Sequence, residues 1–70
     1  GTMANNTYSM IELVGTSTQS IEDAVKNALS SKTLQQQARW FQIIETRGAI
    51  KDGAVQEWQV TIKVGLKLEA

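Results

Sequence analysis

The chain has 70 residues, no cysteine, and seven basic residues that balance seven acidic ones. A chain of this length forms at most one small domain with a thin core, and without cysteine it has neither a disulfide nor a thiolate–metal site, so self-association is the common remaining source of stability. The balanced, scattered charge disfavours nucleic acid or an anionic membrane as the main partner, because both attract a concentrated positive field.

The sequence shows no pattern of a membrane-spanning segment or of a secretion signal. No apolar run approaches membrane-spanning length, and no segment has the charged-then-apolar order of a secretion signal, so we expect a cytoplasmic protein. Gly1 and Thr2 precede Met3 and look like the remnant of an expression tag. We therefore expect residues 1–6 to be a tag remnant and a disordered terminus, and residues 7–70 to form a single domain.

The first predicted elements are a strand and an amphipathic helix. Residues 7–14 are rich in β-forming side chains and are followed by Gly15, which predicts a strand and then a polar turn over residues 15–18. Ser20 and Asp23 have the spacing of a capping box. Apolar residues then recur with the period of an α-helix: Ile21, Ala24, Val25, Ala28 and Leu29. Because this stripe lapses after Leu29, we expect the helix to fray or change register before Gln37.

A second strand is predicted over residues 39–47. In strict alternation Phe41 and Ile43 share the side that faces the core, and Trp40 lies on the other side. Gly48 is expected to end this strand.

A hairpin and a third strand complete the predicted fold. Asp52 and Gly53 supply a two-residue turn that tolerates positive φ. The strand after it alternates cleanly, with one apolar side that we expect to form the core: Trp58, Val60, Ile62, Val64, Leu66 and Leu68. The sequence therefore predicts an α+β fold of order β-α-β-β, in which a three-stranded antiparallel sheet wraps around one amphipathic helix.

Trp40 is the anomaly in this pattern, because a large aromatic side chain lies on the polar side of a strand. Such an indole needs a cover, which is either another subunit or a flat ligand. A subunit contact is the commoner role of an exposed tryptophan. Gln59 favours a ligand, since it lies on the polar side of the paired strand and its amide offers donors and an acceptor that match the edge of a heterocycle.

Arg47 is the second anomaly, because strict alternation from Phe41 would point its guanidinium into the core without a partner. Either the core side of the strand ends before Arg47, or a bulge near Ile43 and Ile44 turns the later residues over. With the bulge, Arg47 joins the side of Trp40 and can meet carbonyl or phosphate oxygens.

The remaining charged residues give weaker signals. Arg39 and Lys67 are candidates for phosphate binding, although surface solubility is the commoner role of either. The chain has no histidine, no cysteine, no glycine-rich phosphate loop and no metal-ligand spacing. Glu12, Glu45 and Glu57 have the chemistry of acids or bases, but their ordinary role is wet-face charge or interface pairing. We therefore expect no enzyme activity, no catalytic residue and no metal site.

Several segments together, in their order and spacing, resemble the dodecin family. They are residues 11–17 (IELVGTS), 39–41 (RWF), 47–48 (RG), 52–53 (DG), 59–65 (QVTIKVG) and 68–69 (LE). The resemblance covers nearly the whole chain after Asn6. It implies the β-α-β-β fold, a hollow homododecamer of cubic symmetry, and the binding of flavins in stacked pairs between tryptophans of symmetry-related subunits.

The resemblance also implies roles for individual residues. Trp40 looks like the residue that stacks on the isoalloxazine ring, Gln59 like the reader of its pyrimidine edge, and Arg47 like a pocket arginine, with Arg39 a less direct contact. Lys67 stands where arginine is frequent, in a region that meets coenzyme A in some members, so coenzyme A is a candidate second ligand.

Two departures from the family pattern bear on the pocket and the assembly. Residues 30–38 are about one residue shorter than the pattern and lack its apolar side chains, in agreement with the lapse in the helix stripe. Ala49 stands where histidine is common. The first departure affects the helix end and its subunit contacts, and the second affects the pocket rim.

The leading hypothesis is storage and photoprotection of flavin, with FMN as the expected ligand and riboflavin or FAD as alternatives. An indole stacked on the ring returns light energy to the ground state, and pairing hides the rings from solvent. A structural homo-oligomer without flavin and a binding protein for a coenzyme A-type ligand are the other hypotheses. Flavin-dependent redox catalysis is a further hypothesis, which needs a second substrate pocket and a proton relay that the sequence does not indicate. Sheet-face RNA binding is remote, because the charge is neutral overall.

Overall fold

The structure is a computed structural model of the chain and describes residues 7–30 and 32–68. Its elements in chain order are β1 (Tyr8–Ser17), α1 (Ile21–Ala28), α2 (Lys32–Gln37), β2 (Ala38–Lys51) and β3 (Ala54–Lys67). The strands form one antiparallel sheet in the order β1-β3-β2. This confirms the predicted β-α-β-β fold, to which α2 adds one short helix. The tag and disorder predicted for residues 1–6 lie outside the described residues.

The core lies between α1 and the central strand β3. Val60, Ile62 and Val64 are fully buried, as the alternation of β3 predicts, and they pack against Ala24 and Val25 of the helix. The flanking apolar residues are partly buried against this cluster: Ile11, Leu13, Ile21, Ala28, Leu29, Ala38 and Leu66. Few of the described side chains are wholly removed from water, which agrees with the thin core expected at this length.

The start of α1 is fixed by two serines. The amide of Asp23 donates to Ser20 Oγ at 3.0 Å, which is the first half of the predicted capping box. In the second half of the box, the amide of Ser20 donates to Ser17 Oγ at 3.4 Å instead of to Asp23. The same hydroxyl accepts from the amide of Gln19 at 2.9 Å and donates to the carboxylate of Asp23 at 2.7 Å. Strand β1 and the helix start are therefore joined by one buried hydroxyl.

The predicted turn over residues 15–18 is wrong, because β1 continues through Gly15 to Ser17. Gly15 instead allows the helix to lie close to the strand. A Cβ atom at this position would overlap the carbonyl oxygen of Ala24 and would lie 2.7 Å from the Cβ of Ala28. The absence of a side chain, rather than a break in the strand, is what this glycine contributes.

The helical region is interrupted where the apolar stripe lapses. Helix α1 ends at Ala28, with Leu29 as its C-cap. Ser30 Oγ donates to the carbonyl of Asn27 at 2.8 Å, which satisfies one of the free carbonyls at the helix end. The chain then forms α2 up to Gln37, so the predicted change before Gln37 is realised as a second, short helix.

The hairpin turn is the one predicted, with Asp52 at φ 53° and Gly53 at φ 77°. The predicted end of β2 at Gly48 is wrong, because the strand runs on to Lys51. A Cβ atom at Gly48 would lie 2.9 Å from the carbonyl oxygen of Glu57 on β3, so this glycine also serves a close backbone approach.

The far end of the hairpin projects beyond β1. The last pair between β1 and β3 joins Ser17 to Trp58, so residues 49–57 form a two-stranded arm. Ile50 and Val55 are cross-strand partners in this arm, and they are 76% and 55% exposed. A two-stranded ribbon is marginally stable in water by itself.

The inner face of β2 is not covered. Helix α1 packs against β1 and β3 and hardly reaches β2. Phe41 and Ile43 face inward as predicted, but they stay 47% and 44% exposed, so the expectation that they are core residues is wrong for the single chain. Both line an apolar groove of about 470 Å³, called here the inner groove. Its lining residues are Ile21, Glu22, Val25, Lys26, Leu29, Phe41 and Ile43.

Trp58 lies on the inner side of β3, as predicted, and is partly buried. Within the described ranges, none of the helices has the length and apolar character needed to cross a membrane.

Candidate functional site

The face of the sheet opposite α1, called here the outer face, carries most of the predicted site residues. A bulge in β2 decides which side chains lie on it. Ile43 pairs with the buried Ile62, but Glu45 pairs with Thr61, so Ile44 is the extra residue of the bulge. Beyond it the alternation of β2 is reversed, and Arg47 lies on the outer face. This is the second of the two predicted explanations for Arg47.

Trp40 lies at one end of the outer face, over the backbone of β3. Its direct partner is Gly65, whose neighbours Val64 and Leu66 point into the core. A Cβ atom at Gly65 would therefore point outward, and it would lie 2.5 Å from Nε1 of the indole and closer still to Cε2 and Cζ2. The indole is thus outside the core and 40% exposed, as the alternation of β2 predicts.

Tyr8 packs against this indole from β1, across the central strand β3. The two ring centroids are 6.3 Å apart with an interplanar angle of 62°, which is an edge-to-face contact. Lys67 is the cross-strand partner of Tyr8 and is partly buried at the same end of the sheet. Met10, the β1 partner of Gly65, is 50% exposed. Trp40 and Lys67 therefore lie near each other.

Arg47 and Gln59 lie at the other end of the outer face, where they are direct cross-strand partners. The amide of Gln59 donates to Glu57 Oε1 at 3.0 Å. The guanidinium of Arg47 lies 3.8 Å from Glu45 Oε1, and both side chains are more than half exposed. An ion pair in this exposed setting contributes little to stability, so Glu45 holds the guanidinium of Arg47 only weakly.

The two ends of the site are far apart within one chain. Gln59 precedes Gly65, the partner of Trp40, by six positions on β3, which at about 3.4 Å per residue is roughly 20 Å. The structure therefore brings Arg47 to Gln59, and Lys67 to Trp40, but it does not bring Trp40 to Gln59.

Arg39 is engaged locally. Its Nη1 donates to the carbonyl of Gln36 at 2.9 Å and to that of Ala38 at 3.2 Å. The contact with Gln36 satisfies one of the free carbonyls at the end of α2. The side chain is exposed, beside a cavity of about 170 Å³ that Trp40 also lines.

The sequence pattern did not predict two residues that contact Trp40, Tyr8 and Gly65. Gly65 was detectable, because counting outward from the two-residue turn at Asp52 and Gly53 places residue 65 opposite residue 40. The same count shows that Gln59 lies far from Trp40. Tyr8 needed the pairing of β1 with β3, which no turn in the sequence fixes.

The family model described as Dodecin matches residues 7–69. A dodecin from Thermus thermophilus is 44% identical over 64 residues, covering 89% of this chain and 91% of the relative.

The chain belongs to the dodecin family. Solved dodecin structures agree with the fold described above. The dodecin from Streptomyces coelicolor superposes with a TM-score of 0.86 at 40% identity, covering 97% of this chain and 99% of that one. The dodecin from Streptomyces davaonensis gives a TM-score of 0.85 at 36% identity, covering 96% and 100%. The family resemblance expected from the sequence motifs is thereby confirmed.

No group of three or more metal-ligating side chains comes together among the residues that the structure describes. The three glutamates considered as acids or bases lie on the outer face: Glu12, Glu45 and Glu57. Glu12 is the cross-strand partner of Lys63, and the other two contact Arg47 and Gln59.

Proposed function

We propose that this chain is a flavin-binding protein that stores flavin and protects it from light, and that it has no catalytic role. The observation that supports this proposal is the indole of Trp40. Its own helix does not cover it, one side rests on the backbone at Gly65, and the residue remains 40% exposed. A flat, electron-poor ring is the natural cover for such a face.

Stacking gives both affinity and photoprotection. An aromatic pair contributes roughly 1 kcal/mol beyond the burial of its area. The electron-rich indole also places a donor in contact with the excited isoalloxazine, so the excited state returns to the ground state without releasing reactive products. FMN is the proposed ligand, and riboflavin and FAD carry the same ring.

The distance of roughly 20 Å between Trp40 and Gln59, from the rise per residue of a strand, leads us to propose that one flavin is held by more than one copy of the chain. Trp40 of one subunit stacks on the ring, while Gln59 of another reads the pyrimidine edge and Arg47 beside it meets a carbonyl or phosphate oxygen. Arg39, which directly precedes Trp40 in the chain, is a peripheral contact. Two such half-sites across a twofold axis hold a flavin pair.

Self-association is supported by the uncovered apolar surface of the chain. The inner groove leaves Phe41 and Ile43 about half exposed, and the arm exposes Ile50 and Val55. A small domain with five buried apolar residues in its described part gains stability when a second copy covers these surfaces. The proposal of twelve subunits, and of a cytoplasmic protein, rests on membership of the dodecin family.

The test is a fluorescence titration of FMN and riboflavin with the apo-protein. We expect the wild type to quench flavin fluorescence and Trp40→Ala to lose this quenching. Trp58→Phe is the matched control, because it changes the other tryptophan, which lies on the inner side of β3. Absence of quenching by the wild type, or equal quenching by Trp40→Ala, would reject the proposal.

A homo-oligomer without flavin is the second candidate, and the inner groove favours it. In that case Trp40 packs against another subunit, so Trp40→Ala lowers the mass of the particle and the wild type takes up no flavin. A coenzyme A-type ligand is the variant of this candidate in which Lys67 contacts a phosphate. Calorimetric titration of coenzyme A into the wild type and Lys67→Ala separates it from the purely structural form.

A further inference from the structure

The position of Trp40 depends on a gap in the outer face of β3. Gly65 is buried, because the indole of its cross-strand partner Trp40 lies over its backbone. Gly65 does not adopt a positive φ, which among the described glycines is found at Gly53. The φ of residue 65 therefore does not require glycine, and contact with the indole is the steric reason for glycine here.

Tyr8 contacts a second side of the indole, so that Gly65 and Tyr8 together form what is called here the seat of Trp40. Its ring meets the indole edge-to-face at 6.3 Å, and it stands on β1, across the central strand from Trp40. The indole is thus bounded below by the backbone at Gly65 and laterally by Tyr8. Its remaining face points away from the sheet. An aromatic side chain on an open sheet would otherwise sample several rotamers, and ordering it on binding would cost affinity.

We propose that Tyr8 and Gly65 are positioning residues that hold the Trp40 indole flat on the sheet before a ligand arrives, so that each subunit presents a single aromatic face to one planar ring. This inference rests on the proposed function for its ligand. The seat itself is a property of the apo-protein and is measurable without flavin.

The experiment uses the full chain in a Trp58→Phe background, where Trp40 is the sole tryptophan. Tyr8→Ala, Tyr8→Phe and Gly65→Ala are compared with Val14→Ala, a matched control on β1 that is 64% exposed and lies opposite Thr61, away from Trp40. For each apo-protein, acrylamide quenching and anisotropy of Trp40 are measured, together with particle mass. FMN is then titrated into the same samples.

We expect Tyr8→Ala to raise acrylamide quenching, lower anisotropy and weaken FMN binding about threefold to tenfold, the usual worth of an aromatic edge contact. Tyr8→Phe retains the ring and should behave as the wild type. Gly65→Ala should displace the indole and weaken FMN binding by about tenfold or more, as misplacement of a contact group does. Val14→Ala should change none of these values, and the particle mass should stay constant.

Unchanged quenching, anisotropy and FMN affinity in both Tyr8→Ala and Gly65→Ala would overturn the inference. So would a loss in Tyr8→Phe as large as in Tyr8→Ala, since the hydroxyl and not the ring edge would then be responsible. If the wild type binds no flavin, the proposed function fails, while the quenching and anisotropy of the apo-proteins still decide whether the seat exists.

Discussion

Arg47 lies directly opposite Gln59 on the outer face of the sheet. Gln59 lies there by the alternation of β3, and Arg47 lies there because Ile44 is an extra residue in β2 whose bulge reverses the alternation of that strand. Without this bulge the guanidinium would point toward the core side. The bulge therefore brings Arg47 beside Gln59, about 20 Å from Trp40 by the rise per residue along β3.

The first prediction concerns this separation. If Trp40 and Gln59 serve one flavin from different subunits, then Trp40→Ala and Gln59→Ala chains should complement each other in mixed particles. Refolding equal amounts of the two variants together should restore roughly a quarter of the wild-type flavin uptake. Each flavin site takes Trp40 from one subunit and Gln59 from another, and random mixing supplies both intact residues in about one site in four. Bound flavin is measured by absorbance after gel filtration.

Particles of each variant alone, taken through the same refolding, are the control for this experiment. Uptake in the mixture that merely equals the average of the two separate samples would show that the two residues do not act across subunits.

The second prediction concerns the inner groove. Phe41 is 47% exposed in the single chain and lines this groove beside α1. Phe41→Ser should therefore lower the mass of the particle by removing apolar surface that a second copy covers. Light scattering with gel filtration measures the mass. Gln42→Ser, one position along β2 and on the outer face, is the matched control, and an equal loss of mass there would contradict the assignment.

The third prediction concerns the contact between β1 and α1. Gly15→Ala should lower the free energy of unfolding by about 1–3 kcal/mol, because the new Cβ would overlap the carbonyl of Ala24 and force the helix away from the strand. Chemical denaturation followed by circular dichroism measures this change. Thr16→Ala, at the exposed neighbouring position, should stay within about 0.5 kcal/mol of the wild type.

Periodicity predicted the parts of the fold that depend on one buried face. The alternation of β3 identified Val60, Ile62 and Val64, and all three are fully buried. The placement of Trp40 outside the core followed from the same rule. Arg47 indicated that strict alternation fails, since an unpaired guanidinium in the core is too costly, but the sequence left open whether the core side ends before Arg47 or a bulge turns the strand over.

Glycines misled the prediction of strand ends. Gly15 and Gly48 have low strand propensity, which predicts a break at each. Both strands continue, because a helix crosses one position closely and a carbonyl approaches the other. Such contacts depend on tertiary packing and leave no local pattern in the sequence. The exposure of Phe41 and Ile43 was hidden for a similar reason, since periodicity gives the face of a side chain but not the reach of the helix that covers it.

The arm of residues 49–57 has a consequence for the order in which the chain loses structure. Its amide groups are hydrogen-bonded across a single ribbon, and no third strand or helix of the described chain lies beside it. In an isolated subunit these amides should exchange with deuterated water well before those at Val60 and Ile62. Slow exchange in the arm of the native particle would therefore locate the place where a neighbouring subunit holds it.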